Sequence, residues 1–324
     1  MTHSSSEPSR SLHSTAGPLL VLAAAFGAAS TGASPTEAAP AQDEAALIIG
    51  VEAIAPGLSM LIGRGGFTGG NIVVAGGGDG IVVVDSYLAG MNKLLVEKLR
   101  DDKQPWAGSE IRSLINTHWH GDHSGNNAWF RSQGAEIVAH DNVRRRLRGD
   151  PTIEGRRVEK KDAGQLTFPT VTFEDPIRVH VGDESIRIEH VAPGHTDGDA
   201  VVWFETSKVV HLGDCFFNGN FPFIDLNSGG SAEGLLATVH HVLSGIDETW
   251  KVVPGHGELA SIKELRAYHD MLADSVAQIR AALEAGDDLA AIQKKGLLKE
   301  YAADWGQGFI KLERIQQTLV ESLR

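Results

Sequence analysis

The sequence predicts an α/β protein, and three observations carry that prediction. Short apolar runs punctuated by glycine recur between Leu47 and Asp85 and again between Val171 and Asp214; runs of this length bounded by turn residues read as strands. Stretches with helical spacing alternate with them or follow them, at Asn92 to Arg100, Ala232 to Leu243 and Ile262 to Leu283. Each strand series closes on an aspartate, Asp85 in the first half and Asp214 in the second, a weak internal duplication of two β-rich halves each followed by helices.

Taken in order, the runs LIIGVEAI, LSMLIG, NIVVAGG and IVVVDS read as antiparallel strands. The glycines between them resemble a nucleotide loop only superficially. No Gly-Lys-Ser/Thr follows and no helix opens directly after, so they are expected to be hairpin turns. Ile111 to Asn116 is a strand, Ser124 to Ala128 opens a helix, and Glu136 to His140 is another short strand. Arg144 to Arg148 is a basic cluster expected on a solvated helix face. Pro151 to Pro169 reads as a polar loop. VTFED, IRVHVG, SIRIEHVA, AVVWFE and KVVHLGD then read as strands at hairpin spacing, with a last short strand at Lys251 to Pro254. Gly286-Asp287-Asp288 is a break, after which Leu289 to Arg324 is helix-favouring, with Trp305, Phe309, Ile310 and Leu312 as candidate docking residues. About forty residues rarely fold alone, so this segment is expected to be an extension packed on the same domain. The expected division is a leader at 1–39, a main domain at 40–286 and the helical extension at 287–324.

With 324 residues and 42% hydrophobic content the chain can bury a large core. Lys plus Arg total 29 against 42 Asp plus Glu, a formal net charge of −13, which argues against a nucleic-acid partner. The small-residue apolar run from Ala16 to Ala29, followed by Ala/Ser/Thr/Pro-rich sequence, resembles a secretory signal peptide with cleavage after Ala33 or Ala39. A disordered leader is the alternative. No later stretch reaches roughly 18 uninterrupted apolar residues. The expectation is therefore a periplasmic or secreted protein with no stable membrane insertion after cleavage. Cys215 is the only cysteine, so no intrachain disulfide exists.

The densest chemistry lies in Thr117-His118-Trp119-His120-Gly121-Asp122-His123, directly after the strand ending at Asn116. His118 and His120 alternate by two and share one side of an extended chain. Asp122 and His123 follow where the chain turns and can reach a neighbouring position, so one loop can start two metal sites. Three more loops place a ligand beside glycine right after an apolar run: Pro193-Gly194-His195-Thr196, Leu212-Gly213-Asp214-Cys215 and Pro254-Gly255-His256-Gly257. That placement suits a cluster at one edge of a sheet sandwich, where glycine permits close approach.

With these residues in order, the sequence closely resembles the metallo-β-lactamase superfamily over roughly Ile48 to Leu283. The resemblance implies a four-layered αββα sandwich with its site at the edge of two sheets. It implies His118, His120 and His195 for a first metal, Asp122, His123 and His256 for a second, and Asp214 bridging both. The implied cofactor is zinc, two ions per chain, with iron or manganese as alternatives. Two such ions about 3.5–4 Å apart share a water whose pKa falls toward about 7, and Asp122 is the catalytic residue that orients the resulting hydroxide. The implied activity is hydrolysis of a small ester, lactone, thioester or amide, β-lactams included. A mononuclear iron sulfur dioxygenase is the alternative on the same fold.

Further residues are candidates for the surroundings of the site. Asp85 is expected to hydrogen-bond the loop carrying His118. Cys215 competes with Asp214 for the bridging position; the two side chains diverge on an extended strand, and Asp214 is favoured. Relatives that hydrolyse β-lactams commonly carry a lysine shortly after that cysteine, whereas three residues after Cys215 stands Asn218. The stretch Phe216 to Asp225 reads as packed loop, substrate wall or oligomer contact; as a wall, Asn218 or Asn220 would donate to an oxyanion. Asp197 and Asp199 support the loops or simply make a turn. His140, His180, His190, His211, His240 and His241 are expected to be structural.

Overall fold

Two sheets are built from strands whose successive side chains face opposite layers. In the computed structural model residues 46–158 and 168–324 are described, so the leader and part of the Pro151–Pro169 segment lie outside the described residues. The first sheet runs in the order β1 (Ile48–Ala55), β2 (Leu58–Arg64), β3 (Ile72–Gly77), β4 (Gly80–Val84), β5 (Ile111–Ile115), β6 (Glu136–His140) and β7 (Val171–Phe173). The second runs β13 (Ala260–Ser261), β12 (Lys251–Val253), β11 (Val209–His211), β10 (Val201–Phe204), β9 (Glu184–Glu189) and β8 (Ile177–Val181).

The central strands β4, β10 and β11 lack polar alternation because both their faces are covered, whereas β1 and β8 alternate toward solvent. Val73, Val82 and Val84 meet Ile186, Ile188, Val202 and Val253 in the core between the sheets. Their neighbours Ile72, Val74, Ile81 and Val83 point outward onto Leu95 and Leu99 of helix α1 (Asn92–Leu99). On the other side Val201, Trp203, Val210 and Val252 pack on Leu235 and Val239 of α5 (Ala232–Gly245) and Leu265 and Leu272 of α6 (Ile262–Glu284). Three apolar interfaces between four layers give the αββα sandwich. Each fully buried Val or Ile stabilises it by about 1.5–3 kcal/mol. Helix α6 starts at a capping box in which Ser261 and Glu264 satisfy each other's backbone N–H groups.

Several elements differ from the sequence reading. VTF at 171–173 joins the first sheet, parallel to β6, and is not a hairpin partner of β8. The helix after β5 opens at Gly121, not Ser124: α2 (Gly121–Ser124) holds Asp122 and His123, and α3 (Asn127–Ser132) follows. In α4 (Asp141–Leu147) Arg146 is buried, not solvated, because its guanidinium meets Asp197 through two 2.7 Å bonds.

The last helices, α7 (Leu289–Lys295), α8 (Ala302–Trp305) and α9 (Leu312–Ser322), and the turn between α8 and α9 place Ile292, Ile310, Ile315 and Leu319 in the core that contains α5 and α6. Trp305 and Leu312 pack against the same core. Phe309, read from the sequence as a docking residue, is instead 65% exposed. Among the described residues no helix is long and apolar enough to cross a membrane.

Candidate metal centre

Parallel pairing decides where the site forms. β4, β5 and β6 run parallel, as do β11 and β12, so the loops leaving their C-terminal ends gather at one edge of the sandwich. Asp85 follows β4, His118 to His123 follow β5, Asp214 follows β11, and His256 follows β12. His195 arrives from the loop after β9.

Imidazole orientation is set by the nitrogen that does not face the centre. The Nδ1–H of His195 donates to the Phe223 carbonyl at 2.7 Å, His120 Nε2 meets Asp225 Oδ2 at 2.9 Å, and His118 Nδ1 meets Thr117 Oγ1 at 3.2 Å. The remaining nitrogens converge: His195 Nε2 lies 3.2 Å from His118 Nε2 and 2.9 Å from His120 Nδ1. With the other ring nitrogens of His195 and His120 acting as donors, two lone pairs face each other, which is favourable only around a cation.

The second cluster has the same character. His123 Nδ1 donates to Asp85 Oδ2 at 2.7 Å, leaving Nε2 3.0 Å from Asp214 Oδ1 and 3.5 Å from Asp122 Oδ2. His256 Nε2 stands 3.4 Å from Asp122 Oδ2 and 3.5 Å from Asp214 Oδ2, and His195 Nε2 is 3.6 Å from that same Asp214 oxygen. His123 Nε2 and Asp214 Oδ1 are buried without a hydrogen-bond partner. Ligands at about 2.0–2.1 Å from a tetrahedral zinc stand about 3.3 Å apart, so these spacings and orphaned atoms fit divalent metal. Three sets satisfy the distances: His118, His120, His195; His118, His123, Asp214; and Asp122, His123, His256. Asp214 therefore stands between the two histidine clusters.

The charges agree with that reading. Burial pushes His118 well below the usual imidazole range, with His123 and His195 adding to the effect. Burial alone would raise Asp214, but His123, His256 and His195 hold it well below the usual carboxylate range. Against burial, Asp214 and Asp122 raise His256 to about 9, and Asp214, Asp122 and Asp85 raise His123. The carboxylates thus create a negative potential that a proton or a divalent cation relieves.

Supporting residues lock the loops. Asp85 accepts from the Thr117 N–H at 2.8 Å and from its hydroxyl at 2.7 Å, besides binding His123. Gly255 is required by close approach, since a Cβ there would sit 2.1 Å from Asp214 Oδ1. Asp214 lies in a 3₁₀ turn, not an extended strand, and that turn sends Cys215 away into the core, where its thiol donates to Asp199 Oδ2 at 3.4 Å. Asp199 also accepts from the Thr196 N–H and hydroxyl, fixing the loop of His195. His211 spans Asn71 and Gly213, and His140 stacks on His190, both outside the ligand groups.

The aromatic stretch divides between packing and wall. Phe216, Phe217 and Phe221 are buried, whereas Phe223 lines the cavity above the centre together with Phe67, Leu88 and Phe309. Asn218 and Asn220 do not line it; their amides donate to the carbonyls of Glu258 and Asn218. Three contributors escaped the sequence reading. Asp225 orients His120, Asn71 ties down the His256 loop through Pro254 and Gly257, and Arg156 lines the cavity. Asp225 closes the aromatic stretch but carries no motif spacing, and Asn71 and Arg156 have no local signal at all.

A family model described as the metallo-beta-lactamase superfamily matches residues 65–284. The chain belongs to that superfamily. Its fold is similar to the DIM-1 metallo-beta-lactamase, with a TM-score of 0.55 at 18% identity over 71% of this chain and 100% of the other. A metallo-beta-lactamase from Pontibacter korlensis gives 0.54 at 18% identity, covering 69% and 99%. Likeness at this identity speaks to the fold alone. In sequence the chain is similar to a hydroxyacylglutathione hydrolase of Polaromonas sp., 28% identical over 46% of this chain and 49% of that one. An uncharacterized protein of Aquifex aeolicus is 31% identical over 31% and 47%, and a probable metallo-hydrolase of Bacillus subtilis 28% over 45% and 68%. The first of these matches span about half the length of the curated relatives.

Proposed function

We propose that the chain is a two-metal hydrolase acting on a small ester, lactone, thioester or amide, with β-lactams among the candidates. The observation that carries this reading is the convergence of His118, His120 and His195 on one side of Asp214 and of Asp122, His123 and His256 on the other. Zinc bound there supplies a water acidified to near neutrality and a Lewis acid for the scissile carbonyl. Completeness of the second group favours this over a mononuclear iron dioxygenase, which needs only one set of ligands.

The chain's own groups do the positioning. Asp122 lines the cavity and is held ionised by His123 and His256 against the opposing effect of burial. It accepts a hydrogen bond from the attacking water and fixes its direction. The cavity of ≈ 290 Å³ lies at the small end of ligand sites, about 300–1,000 Å³, which suits a compact acyl substrate. Phe67, Leu88, Phe223 and Phe309 give it an apolar wall. The similarity to hydroxyacylglutathione hydrolase supports including hydroxyacylglutathione among the substrates tried. The leader at 1–39 supports an exported, periplasmic or secreted enzyme, which N-terminal sequencing of the mature protein tests.

The test is a screen of the zinc-loaded protein against chromogenic β-lactam, lactone, thioester and aryl ester substrates. At least one is hydrolysed, and Asp122→Ala lowers its turnover by about 10²–10⁴-fold while melting remains cooperative. A folded Asp122→Ala variant with full activity sinks the proposal.

A further inference from the structure

Among the described residues lining the cavity, Arg156 is the only lysine or arginine, in a chain of net charge −13. Its position is built. The N–H of Arg156 donates to the Asn227 carbonyl at 2.6 Å, and its carbonyl accepts from the buried Arg146 guanidinium, which also binds the Glu154 carbonyl at 3.2 Å and Asp197. Gly155 allows this contact: its φ is +74°, and a Cβ would meet the Asn227 carbonyl oxygen at 1.9 Å. The turn carrying Arg156 is therefore anchored from both sides.

The side chain extends from that anchor to the rim. Its guanidinium carbon stands 5.5 Å from the centroid of Trp119, within cation–π range. One nitrogen lies 3.4 Å from Asp225 Oδ2, an oxygen already bound by His120 Nε2 at 2.9 Å and by the Ser228 hydroxyl at 2.6 Å. That contact is long and shared, so it does not use up the five donors of a guanidinium. The side chain is 58% exposed. The cation thus sits on the His120 side of the cavity, one carboxylate away from that ring, while Phe67 stacks on His256 at 5.7 Å on the other side.

We infer that Arg156 is a specificity-determining residue that binds a carboxylate of the substrate, on the His120 side of the scissile bond, with the apolar part of the substrate against Phe67, Phe223 and Phe309. Planar bidentate pairing is what a guanidinium offers a carboxylate. The inference rests on the hydrolase reading above and adds the charge and orientation of the substrate to it.

The experiment compares two para-nitrophenyl esters of arylacetic acids, one bearing a para-carboxylate and the other the uncharged carboxamide. Zinc-loaded wild type favours the carboxylate in kcat/KM. Arg156→Gln lowers the ratio of the two by at least about tenfold, the low end for a hydrogen bond to a charged group, with most of the change in KM. Arg156→Lys recovers part of it, and Arg156→Glu inverts the preference. Equal losses for both esters would make Arg156 a general donor or a structural residue and overturn the inference. Calorimetric binding of naphthalene sulfonate, a poor metal ligand, against the neutral naphthyl methyl sulfone supplies a readout independent of turnover. If wild type hydrolyses neither these esters nor any substrate of the screen above but loses sulfonate selectivity on Arg156→Gln, the hydrolase reading fails and the anion subsite stands. If the sulfonate and the sulfone bind alike in wild type and Arg156→Gln, the subsite fails.

Discussion

Asp85 Oδ2 and His123 Nδ1 meet at 2.7 Å with both side chains fully buried, and that contact aims the opposite nitrogen of His123 at Asp214. Asp85 has φ +65°, in the left-handed region that Asn also tolerates. Asp85→Asn therefore keeps the backbone but cannot accept from the Thr117 N–H and from His123 at once, since those two donors use different carboxylate oxygens. We expect zinc affinity to fall by about 10–100-fold, read by competition with a chromogenic chelator. Unchanged affinity would remove Asp85 from the support of the site.

Asp214 and Cys215 are separable by substitution. Cys215→Ala leaves zinc content and turnover in place, because the thiol faces Asp199 and not the histidines. It destabilises the fold by about 1–3 kcal/mol through the donor lost to Asp199, measured by urea unfolding. Asp214→Ala abolishes turnover. The reverse pattern would make the cysteine the ligand.

Arg146 and Asp197 form a bidentate pair in which Arg146 is 1% exposed. Arg146→Met costs about 3–5 kcal/mol in urea unfolding, since Asp197 keeps its charge without a partner. Asp197→Leu added to it recovers much of that loss, because replacing both members of a buried pair is often nearly neutral. A double variant as unstable as the single one would show that the pair acts mainly through the loop of Arg156.

His140 gives an acid-side signature outside the site. Burial pushes it down to about 4, with His190 adding and Asp197 and Asp141 opposing. Its folded pKa lies below the unfolded value of about 6.5, so the stabilisation is present above about 6.5 and is lost as pH falls toward about 4. Nδ1 of His140 also caps α4 through the Asn142 N–H. Asn is a good N-cap, so His140→Asn keeps the cap and removes the titration. Melting temperature in the variant should fall less between those pH values; an identical slope would assign the acid loss elsewhere.

What the sequence made legible is local. Each candidate ligand follows an apolar run and sits within two residues of another candidate or a glycine, so His118, His120, Asp122, His123, His195, Asp214 and His256 stand out by position. The same locality exposed most strands and the helices at 92, 232 and 262. Contacts spanning long separations were hidden. His120 meets Asp225 across 105 residues, and Asn71 reaches Pro254 across 183. β7 looked like a hairpin strand because its residues carry no mark of which sheet they join. Arg146 looked solvated because its cluster is basic, and only the fold brings Asp197 to it.

The most direct measurement is zinc stoichiometry by plasma mass spectrometry on reconstituted protein, taken together with hydrolytic turnover and with His195→Ala and His256→Ala variants. Two zinc ions per chain are expected in the wild type and about one in each variant, with hydrolysis that needs both. One iron per chain, both variants retaining it or losing it together, and oxygen consumption without hydrolysis would contradict this expectation.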